Sequence, residues 1–382
     1  MSVPSALHVE VMYDGKTKIG ELETFEGAHI QRIQVDQRLD SPDFFTVDYQ
    51  STEQGEDKLL DLMAVGKEIE IKLGYGKAET LFKGEVSYIE PHFGGGNQTI
   101  AISGYDFSHR LTRGTSSRTF GDGHAEDQSP ANAADTVVGD SQARKGGSSD
   151  GLASASGVAD SKLEYIAQYN QNDYSFVQQI VGSFGMGWDS GSHANPKQVS
   201  LKALEKGSPV LTIIREKFTG DAEGEQAQAI SADFRMSTVR QVARVEVRGW
   251  DFVNKKPING FVESISSPIG GDPGHEQAGK AHYGSASSGR VVTVVDLPVR
   301  SEAEAKEIAQ SIMDKFGMDW MTADVVTEGR PKVHAGAVVK VEDFGKAYSG
   351  EYYVEGCQHV WSASGSTPYR TYLKLSRNAS PT

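Results

Sequence analysis

The chain carries the same ordered set of β-strand signals near both of its ends. Val65–Gly66 precedes the segment KEIEIKLG, and Ala335–Gly336 precedes AVVKVED. A Gly-Glu pair then opens a strand that reaches a histidine, in GEVSYIEPHF from Gly84 and in GEYYVEGCQHVW from Gly350. A turn and a closing strand, TIAIS or TYLKLS, follow both times. The distance between the two copies is much longer than the repeat period of a solenoid. The repeat therefore predicts two related β-barrels that flank an insertion.

Local patterns divide the rest of the chain. Before residue 113, short segments rich in β-branched and aromatic residues are separated by turn residues, and in KEIEIKLG apolar and charged residues alternate. Polar and helical signals follow, until VEVRGW, from Val245, restores strand character. The expected fold class is α+β, mainly β, with a first barrel at 1–112, an α+β insertion domain at 113–232 and a second barrel at 233–382.

One helix is predicted inside the insertion by the segment NDYSFVQQIVGSFG. Asn172 is suited to cap the first turn, where the charge of Asp173 complements the helix dipole, and Gly185 is suited to end the helix. The apolar residues recur at helical spacing, namely Phe176, Val177, Ile180, Val181 and Phe184. These features predict a helix that anchors the insertion domain, and they indicate no catalytic role.

Two further helices are predicted from their end signals. Ser129 and Pro130 occupy the cap and first-turn positions ahead of ANAADTVV. In SEAEAKEIAQSIMDKFG, a serine cap at Ser301 and an acidic first turn predict a helix near 301–316, with Gly317 as its end.

Charge and composition limit the possible partners. The 382 residues have a formal net charge of −14, which argues against wrapping nucleic acid or adhering to anionic lipid. No aliphatic run is long enough to span a bilayer, and no basic and apolar signal segment opens the chain. The single cysteine, Cys357, excludes an internal disulfide and fits synthesis in a reducing cytoplasm. We expect a soluble protein with no membrane span and no sequence-specific nucleic-acid binding.

Literal matches to catalytic motifs lack the context that each chemistry needs. Gly147–Gly151 fits G-x-S-x-G but lies in a Gly/Ser/Ala-rich segment, without the strand and helix of a nucleophile elbow. His275-Glu276 begins an H-E-x-x-H motif, but glycine occupies the position of the second histidine, and His282 lies in a glycine-rich loop. No phosphate-binding loop and no dinucleotide fingerprint is present.

Two other side chains are expected to be structural. Cys357 lies in a predicted strand, so a buried, inert thiol is expected. His92 and His359 occupy equivalent points of the repeat, which suggests a shared structural role in the barrels. The sequence therefore predicts no enzyme, no catalytic residues, no cofactor and no metal site.

Several stretches together resemble the late-control protein D family of contractile phages. RVEVRGWD at 244–251 with NKKPING resembles the strand and turn that open the family's second barrel. GRPKVHAGAVVKVED, YSGEYYVEGCQHVW and YRTYLKLSRN are similar to its closing barrel, and FKGEVSYIEPHF with ISGYDFSHRL to the end of its first. QYNQNDYSFVQQIVGSFGMGWD is similar to a segment between the barrels. The family includes the baseplate hub of T-even phages and the N-terminal part of VgrG proteins of type VI secretion.

The resemblance implies a structural baseplate hub of a contractile injection machine, which is a phage tail, a tailocin or an extracellular injection system. Both barrels would be tail-tube-like, and a homotrimeric ring would adapt a six-fold tail tube to a three-fold spike. The implied partners are further copies of the chain, the tail tube protein, baseplate wedge proteins and a trimeric spike. The chain stops soon after its last strand, so the spike is expected to be a separate polypeptide. Such a hub is made in the bacterial cytoplasm and assembled into the particle. No interface residue can be assigned from the sequence.

A different class of function is the alternative: an independent envelope- or carbohydrate-binding β-protein, with glycine-rich loops as its binding surface. Trp188, Trp250, Trp320 and Trp361 could stack on sugars. Three of the four lie in predicted strands, where burial in a core is the expected role.

Overall fold

Strands dominate the protein. The computed structural model describes residues 6–15, 17–20, 27–51, 53–94, 98–121, 128–140, 153–155, 165–183, 186–193, 198–203, 207–215, 226–274, 276, 290–364 and 367–380. Strands take 50% and helices 18%, which confirms the α+β, mainly β, class. Within those ranges, no helix is both long enough and apolar enough to cross a membrane.

The strands are numbered in chain order. They are β1 (Leu7–Tyr13), β2 (Thr17–Gly20), β3 (Ala28–Arg38), β4 (Phe44–Ser51), β5 (Glu68–Tyr75), β6 (Glu79–His92), β7 (Gln98–Tyr105), β8 (Ser116–Phe120), β9 (Ala153–Ala155), β10 (Ile166–Gln171), β11 (Met186–Asp189), β12 (Gln198–Ala203), β13 (Leu211–Ile214), β14 (Gln226–Met236), β15 (Arg244–Asp251), β16 (Lys256–Val262), β17 (Val291–Val294), β18 (Met321–Glu328), β19 (Val338–Glu342), β20 (Gly350–Ser362) and β21 (Tyr369–Arg377). The helices are α1 (Glu53–Leu62), α2 (Pro130–Asp140), α3 (Asp173–Gly182) and α4 (Glu302–Met318), and Phe107–Thr112 forms a 3-10 helix.

One 13-stranded sheet contains both barrels, in the order β19-β13-β14-β18-β21-β20-β3-β4-β7-β6-β5-β1-β2. Because β19 also pairs with β20, six of these strands close into the second barrel. The remaining strands curl around another core, across which the hydroxyls of Tyr13 and Tyr49 hydrogen-bond at 2.6 Å, and we call this curled sheet the first barrel. One closed barrel and one curled sheet around its own core therefore lie where the two β-barrels are predicted.

The barrels share one five-stranded motif, β3-β4-β7-β6-β5 in the first and β14-β18-β21-β20-β19 in the second. A turn glycine fixes the correspondence. Gly66, at φ 88°, donates its N–H to the carbonyl of Val86, and Gly336, at φ 83°, donates to the carbonyl of Val354, both at 2.8 Å. The repeat of Val65–Gly66 as Ala335–Gly336 therefore marks equivalent turns of the two motifs.

Matching β-bulges extend the correspondence along the strands. One bulge comes directly after Val86 in β6 and directly after Val354 in β20. Another comes directly after Ile30 in β3 and directly after Ala229 in β14. Bulges bend strands and are positioned features of a fold, so their coincidence establishes residue-by-residue equivalence between the two motifs.

This equivalence corrects part of the sequence comparison. Counting from Val86 and Val354, His92 corresponds to Val360 and not to His359. His92 is exposed at the end of β6, whereas His359 is fully buried. Successive side chains point to opposite faces of a strand, so a difference of one residue reverses the direction of the imidazole. The prediction of a shared role for the two histidines is wrong.

The insertion between the barrels contains α2, α3 and two small sheets, and the predicted caps of both helices are present. Asn172 accepts a hydrogen bond from the N–H of Ser175 at 2.7 Å, and Ser129 accepts one from the N–H of Asn132 at 3.1 Å. Helix α3 ends at Gly182, and Gly185 lies outside the described residues. The two helices pack together over an apolar core that includes Phe107, Val137, Phe176, Val181 and Trp188.

Helix α4 begins as predicted and ends later than predicted. Ser301 accepts a hydrogen bond from the N–H of Glu304 at 3.1 Å, which confirms the cap. The helix continues through Gly317 to Met318, so Gly317 does not end it. A Cβ at Gly317 would lie 3.0 Å from Cγ2 of Ile265, and this close approach explains the glycine better than a helix stop.

Strand β15 does not open the second barrel, contrary to the expectation from the family resemblance. It forms a separate sheet in the order β16-β15-β17, which α4 covers. Gly260 on β16 allows the helix to approach, because a Cβ there would lie 2.4 Å from the backbone nitrogen of Lys306. The closed barrel instead includes β13 (Leu211–Ile214) and β14 (Gln226–Met236). The division of the chain at residues 112 and 232 stays a prediction.

The buried face of α3 gives a first test. Phe176 is 1% exposed and stacks on Phe120, with ring centroids 5.9 Å apart. We expect Phe176→Asp to lower the free energy of unfolding by more than about 3 kcal/mol, because it removes a core ring and buries a carboxylate. Urea unfolding measures the loss. Ser175→Asp, on the exposed face of the first turn, is the matched control and should change stability little. Equal stability of both variants would contradict the packing.

Candidate assembly interface

Strand β20 joins the two barrels because it changes partner along its length. Its first residues, Gly350–Tyr353, pair with β19, and Gly356–Ser362 pair with β3 of the first barrel. The bulge after Val354 separates the two parts. Where β20 meets β3, Gln358 lies opposite Asp36 and donates a hydrogen bond from Nε2 to Oδ1 at 2.6 Å. We call this paired region the intrachain junction.

A buried histidine lies within the intrachain junction. Nε2 of His359 is 3.0 Å from the carbonyl oxygen of Val333, and Nδ1 is 2.9 Å from the hydroxyl of Tyr369. A carbonyl can only accept, so Nε2 carries the proton and Nδ1 accepts from Tyr369. Burial lowers the pKa of His359 to about 3, and the imidazole is neutral. The neighbouring thiol of Cys357 is buried, as expected, and burial raises its pKa.

Two buried carboxylates attach the insertion to the first barrel. Asp43 accepts hydrogen bonds at Oδ2 from the hydroxyls of Ser190 at 2.9 Å and Ser192 at 2.5 Å. The backbone N–H of Asp43 in turn donates to Asp106. Burial raises the pKa of both groups, that of Asp106 to about 6, and repulsion by Asp106 raises the pKa of Asp43 further. Both residues are buried and engaged in hydrogen bonds, so this pair is a structural contact.

The remaining sequence candidates are placed as follows. Gly147–Gly151, His275 and His282 lie outside the described residues, so the structure does not test them. Trp188, Trp320 and Trp361 are buried, as expected for core residues. Trp250 is 48% exposed beside the β15–β16 turn, where Phe252 and Val253 are also exposed.

One cluster of possible metal ligands has no signal in the sequence. Asp189, His193 and His334 form the set of histidine and carboxylate side chains, within the described residues, whose spacing could hold a metal ion. His334 is far from the other two in the chain and forms no spacing motif with them, so only the fold brings them together.

Two strand edges equivalent to the intrachain junction have no partner strand among the described residues. In β6, pairing with β5 ends at Glu85, so the edge from Tyr88 to His92 pairs only with β7. In β14, pairing with β13 ends at Gln228, so the edge from Ala229 to Met236 pairs only with β18. The bulge correspondence relates these edges to the intrachain junction. The β6 edge is equivalent to the part of β20 that pairs with β3, and the β14 edge is equivalent to the part of β3 that pairs with β20.

Both edges expose side chains that are unusual for a solvated surface. Tyr88 and Phe93 are 51% and 67% exposed at the β6 edge, and Ile230 and Met236 are 47% and 42% exposed at the β14 edge. Unpaired strand edges are ready sites for pairing with another chain, and exposed apolar side chains beside them are typical of protein contacts. The two edges are therefore candidate interfaces for assembly.

Several solved structures share this fold. A 43 kDa tail protein of prophage MuSo2 from Shewanella oneidensis is 11% identical with a TM-score of 0.66, covering 98% of this chain and 99% of that one. A tail protein from Neisseria meningitidis MC58 is 12% identical with a TM-score of 0.67, covering 98% and 97%. The c3393 protein of Escherichia coli is 7% identical with a TM-score of 0.57, covering 97% and 79%. It is described as a component of the type VI secretion system with structural similarity to the T4 bacteriophage tail proteins gp27 and gp5.

No protein-family model and no curated relative matches the sequence. The likeness to these structures extends over almost the whole chain at low identity, so it shows a shared fold. The chain has the fold of phage tail proteins and of a type VI secretion component.

The neutral, buried His359 gives a pH-dependent prediction. Its pKa is about 3 in the folded protein, below the usual value of about 6.5 in an unfolded chain, so acidification protonates the unfolded state first. Stability from this group is present above pH 6.5 and is lost as the pH falls from there towards 3. We expect the stability difference between wild type and His359→Asn to shrink by about 1.4 kcal/mol per pH unit between pH 6 and 4.

Urea unfolding at a series of pH values measures this difference. His8→Asn, at an exposed histidine on β1, is the control and should leave the pH slope unchanged. A wild-type slope identical to that of His359→Asn would show that His359 is not held neutral.

Proposed function

We propose that the protein is a structural baseplate hub of a contractile injection machine and forms a closed ring of three copies. One observation carries the proposal: the chain already contains a junction between its two equivalent motifs, and the equivalent edges of β6 and β14 have no partner strand within the described ranges. A second copy that repeats the intrachain junction pairs the β6 edge of one chain with the β14 edge of the next. Three chains then supply six similar units around one axis, which suits a six-fold tube on one face and a three-fold spike on the other.

The bulge correspondence defines the register of this contact between chains. In the intrachain junction, Gln358 faces Asp36 and Val360 faces Gln34. The equivalent residues place Glu90 opposite Arg235 in the next chain, and His92 opposite Asp233. The positions equivalent to the facing residues Trp361 and Ile33 are Phe93 in one chain and Ala232 in the next, and these form an apolar pair.

Charge complementarity supports this register. Glu90, His92, Asp233 and Arg235 are all exposed, and within the described part of the chain Glu90, Asp233 and Arg235 have no ion-pair partner. Opposite charges directly across neighbouring strands stabilise pairing, and like charges oppose it. A register displaced by one residue would break both polar pairs, so the charges favour the same register as the bulges.

Pro91 lies within the β6 edge and has no N–H to donate, so pairing there depends on the backbone groups on either side. Such a proline also limits pairing with unrelated strands. Both properties suit a contact that is specific for another copy of this chain.

The tail-protein fold supports a mechanical role. The similarity of c3393 to gp27 and gp5, together with the family resemblance of the sequence, favours a hub over other tail components. The partners are then the tail tube protein, a separate spike protein and baseplate wedge proteins, in a virion or an extracellular particle. The hub transmits force by remaining assembled, and no catalytic step is assigned to it.

Charge reversal at the predicted pair tests the proposal. We expect Glu90→Arg to weaken each junction between chains by about 1 kcal/mol, which is about fivefold in its association constant, because attraction becomes repulsion. Arg235→Glu should weaken it similarly, and the double variant should restore trimer formation. Sedimentation velocity over a range of concentrations measures the trimer fraction. Lys256→Glu, at an exposed position of β16 in a sheet that contains neither edge, is the control.

Cysteine cross-linking checks the register independently. The double variant Glu90→Cys and Arg235→Cys should oxidise to a covalent ladder that ends at a trimer. Glu90→Cys with Asp233→Cys, displaced by two residues, should cross-link much less. A wild-type protein that stays monomeric at high concentration, alone and with its spike, would overturn the ring. A trimer that is insensitive to every one of these changes would overturn the edge pairing.

A further inference from the structure

Three side chains from distant parts of the chain converge beside the intrachain junction. Asp189 ends β11, His193 lies in the turn that follows, and His334 lies in the loop before β19. Their ligand atoms all lie within 4.8 Å of one another. The two imidazole rings are stacked, with centroids 3.8 Å apart and planes at 15°. We propose that this group is a metal site for a divalent transition ion of the zinc class.

The donor set fits that class of ion. Imidazole nitrogen and carboxylate oxygen are ligands that Zn²⁺ takes at about 2.0–2.2 Å, so two ligand atoms on one tetrahedral ion are about 3.4 Å apart. The observed spacing of up to 4.8 Å is wider than this, and the two imidazole rings must rotate out of their stacked arrangement so that both nitrogen lone pairs point at one ion. Two histidines and one carboxylate leave one coordination position for water or a further ligand, and hard ions such as Ca²⁺ prefer all-oxygen sets.

Hydrogen bonds already orient two of the ligands. Nδ1 of His334 is 2.8 Å from the carbonyl oxygen of Ala335, which can only accept, so Nδ1 carries the proton and Nε2 carries the lone pair. Oδ1 of Asp189 accepts the backbone N–H of Gly191 at 3.0 Å. Metal-binding histidines commonly donate their second N–H to a carbonyl, and such contacts fix the ring and its tautomer.

The surroundings also favour a cation. Asp189 is buried, while His193 and His334 are half-buried, so an ion can enter from solvent. Ser190 and Ser192, within the same turn, donate to the buried carboxylate of Asp43. Asp189 and Asp43 are therefore neighbouring buried carboxylates that repel each other, and a bound cation would offset this repulsion.

A metal at this position would connect three parts of the fold. Asp189 and His193 belong to the insertion. In the same turn, the carbonyl oxygen of Ser192 accepts a hydrogen bond from the backbone N–H of Lys83 in the first barrel at 3.1 Å. His334 belongs to the second barrel. Binding would thus hold the insertion turn across both barrels and would stabilise the folded state by mass action.

The test uses the full, untagged chain after treatment with EDTA and dialysis. Titration with ZnCl₂, followed by calorimetry, should show one strong site per chain and a rise in Tm. Replacement of zinc by Co²⁺ should give the visible absorption bands of a four- or five-coordinate ion. His334→Ala, His193→Ala and Asp189→Asn should each weaken binding by at least about tenfold. His8→Ala removes an exposed histidine elsewhere and should bind as the wild type does.

The zinc titrations distinguish a metal site from a simple pair of stacked rings. Zinc binding that the ligand variants lose and the control retains supports the site, whether or not the variants change the basal Tm in EDTA. The proposed metal site would be overturned if His334→Ala bound zinc as strongly as the wild type. It would also be overturned if zinc gave no Tm shift and cobalt no visible spectrum in the wild type, and the two rings would then be only a stacked imidazole pair. Trimer formation is not needed for either readout, so this inference stands or fails apart from the ring.

Discussion

The pairing of Gly356–Ser362 with β3 is the interaction on which the rest of the architecture depends. It merges two barrels into one hydrogen-bonded sheet and places residues from both in a common core, where Trp361 and Tyr369 of the second barrel pack with the apolar residues of the first. The bulge after Val354 makes this possible because it bends β20 at the point where one partner strand ends and another begins. Without that bend, the closed barrel and the junction would compete for the same edge.

Local sequence patterns predict the elements well and the long-range pairing poorly. The helix caps at Asn172 and Ser301 and the buried face of β5 depend only on residues close together in the chain. The structure confirms all three features. The closure of the barrel by β13 depends instead on parallel pairing with strands distant in sequence, for which no local signal exists. Gly317 shows the same limit, because its glycine is required by contact with another element and not by the helix itself.

The candidate assembly edges and the proposed metal ligands illustrate what comparison within the chain can add. Repeated letters identified equivalent turns at Gly66 and Gly336 but misaligned the histidines, because letters do not record where a bulge adds a residue. Once the bulges fixed the correspondence, Glu90 and Arg235 could be placed opposite each other in the proposed contact between chains, which no inspection of either segment alone could provide. Asp189, His193 and His334 have no spacing pattern at all, and only the packing of the insertion turn against the second barrel unites them.

The intrachain junction also has a consequence for how a ring of such chains comes apart. Its two strands are tethered by one polypeptide, so their effective concentration is fixed by the chain and does not change with dilution. An edge contact between separate copies has no tether, and its occupancy falls as the protein is diluted. The proposed ring would therefore alternate between tethered and reversible contacts, and on dilution it would separate only into whole chains.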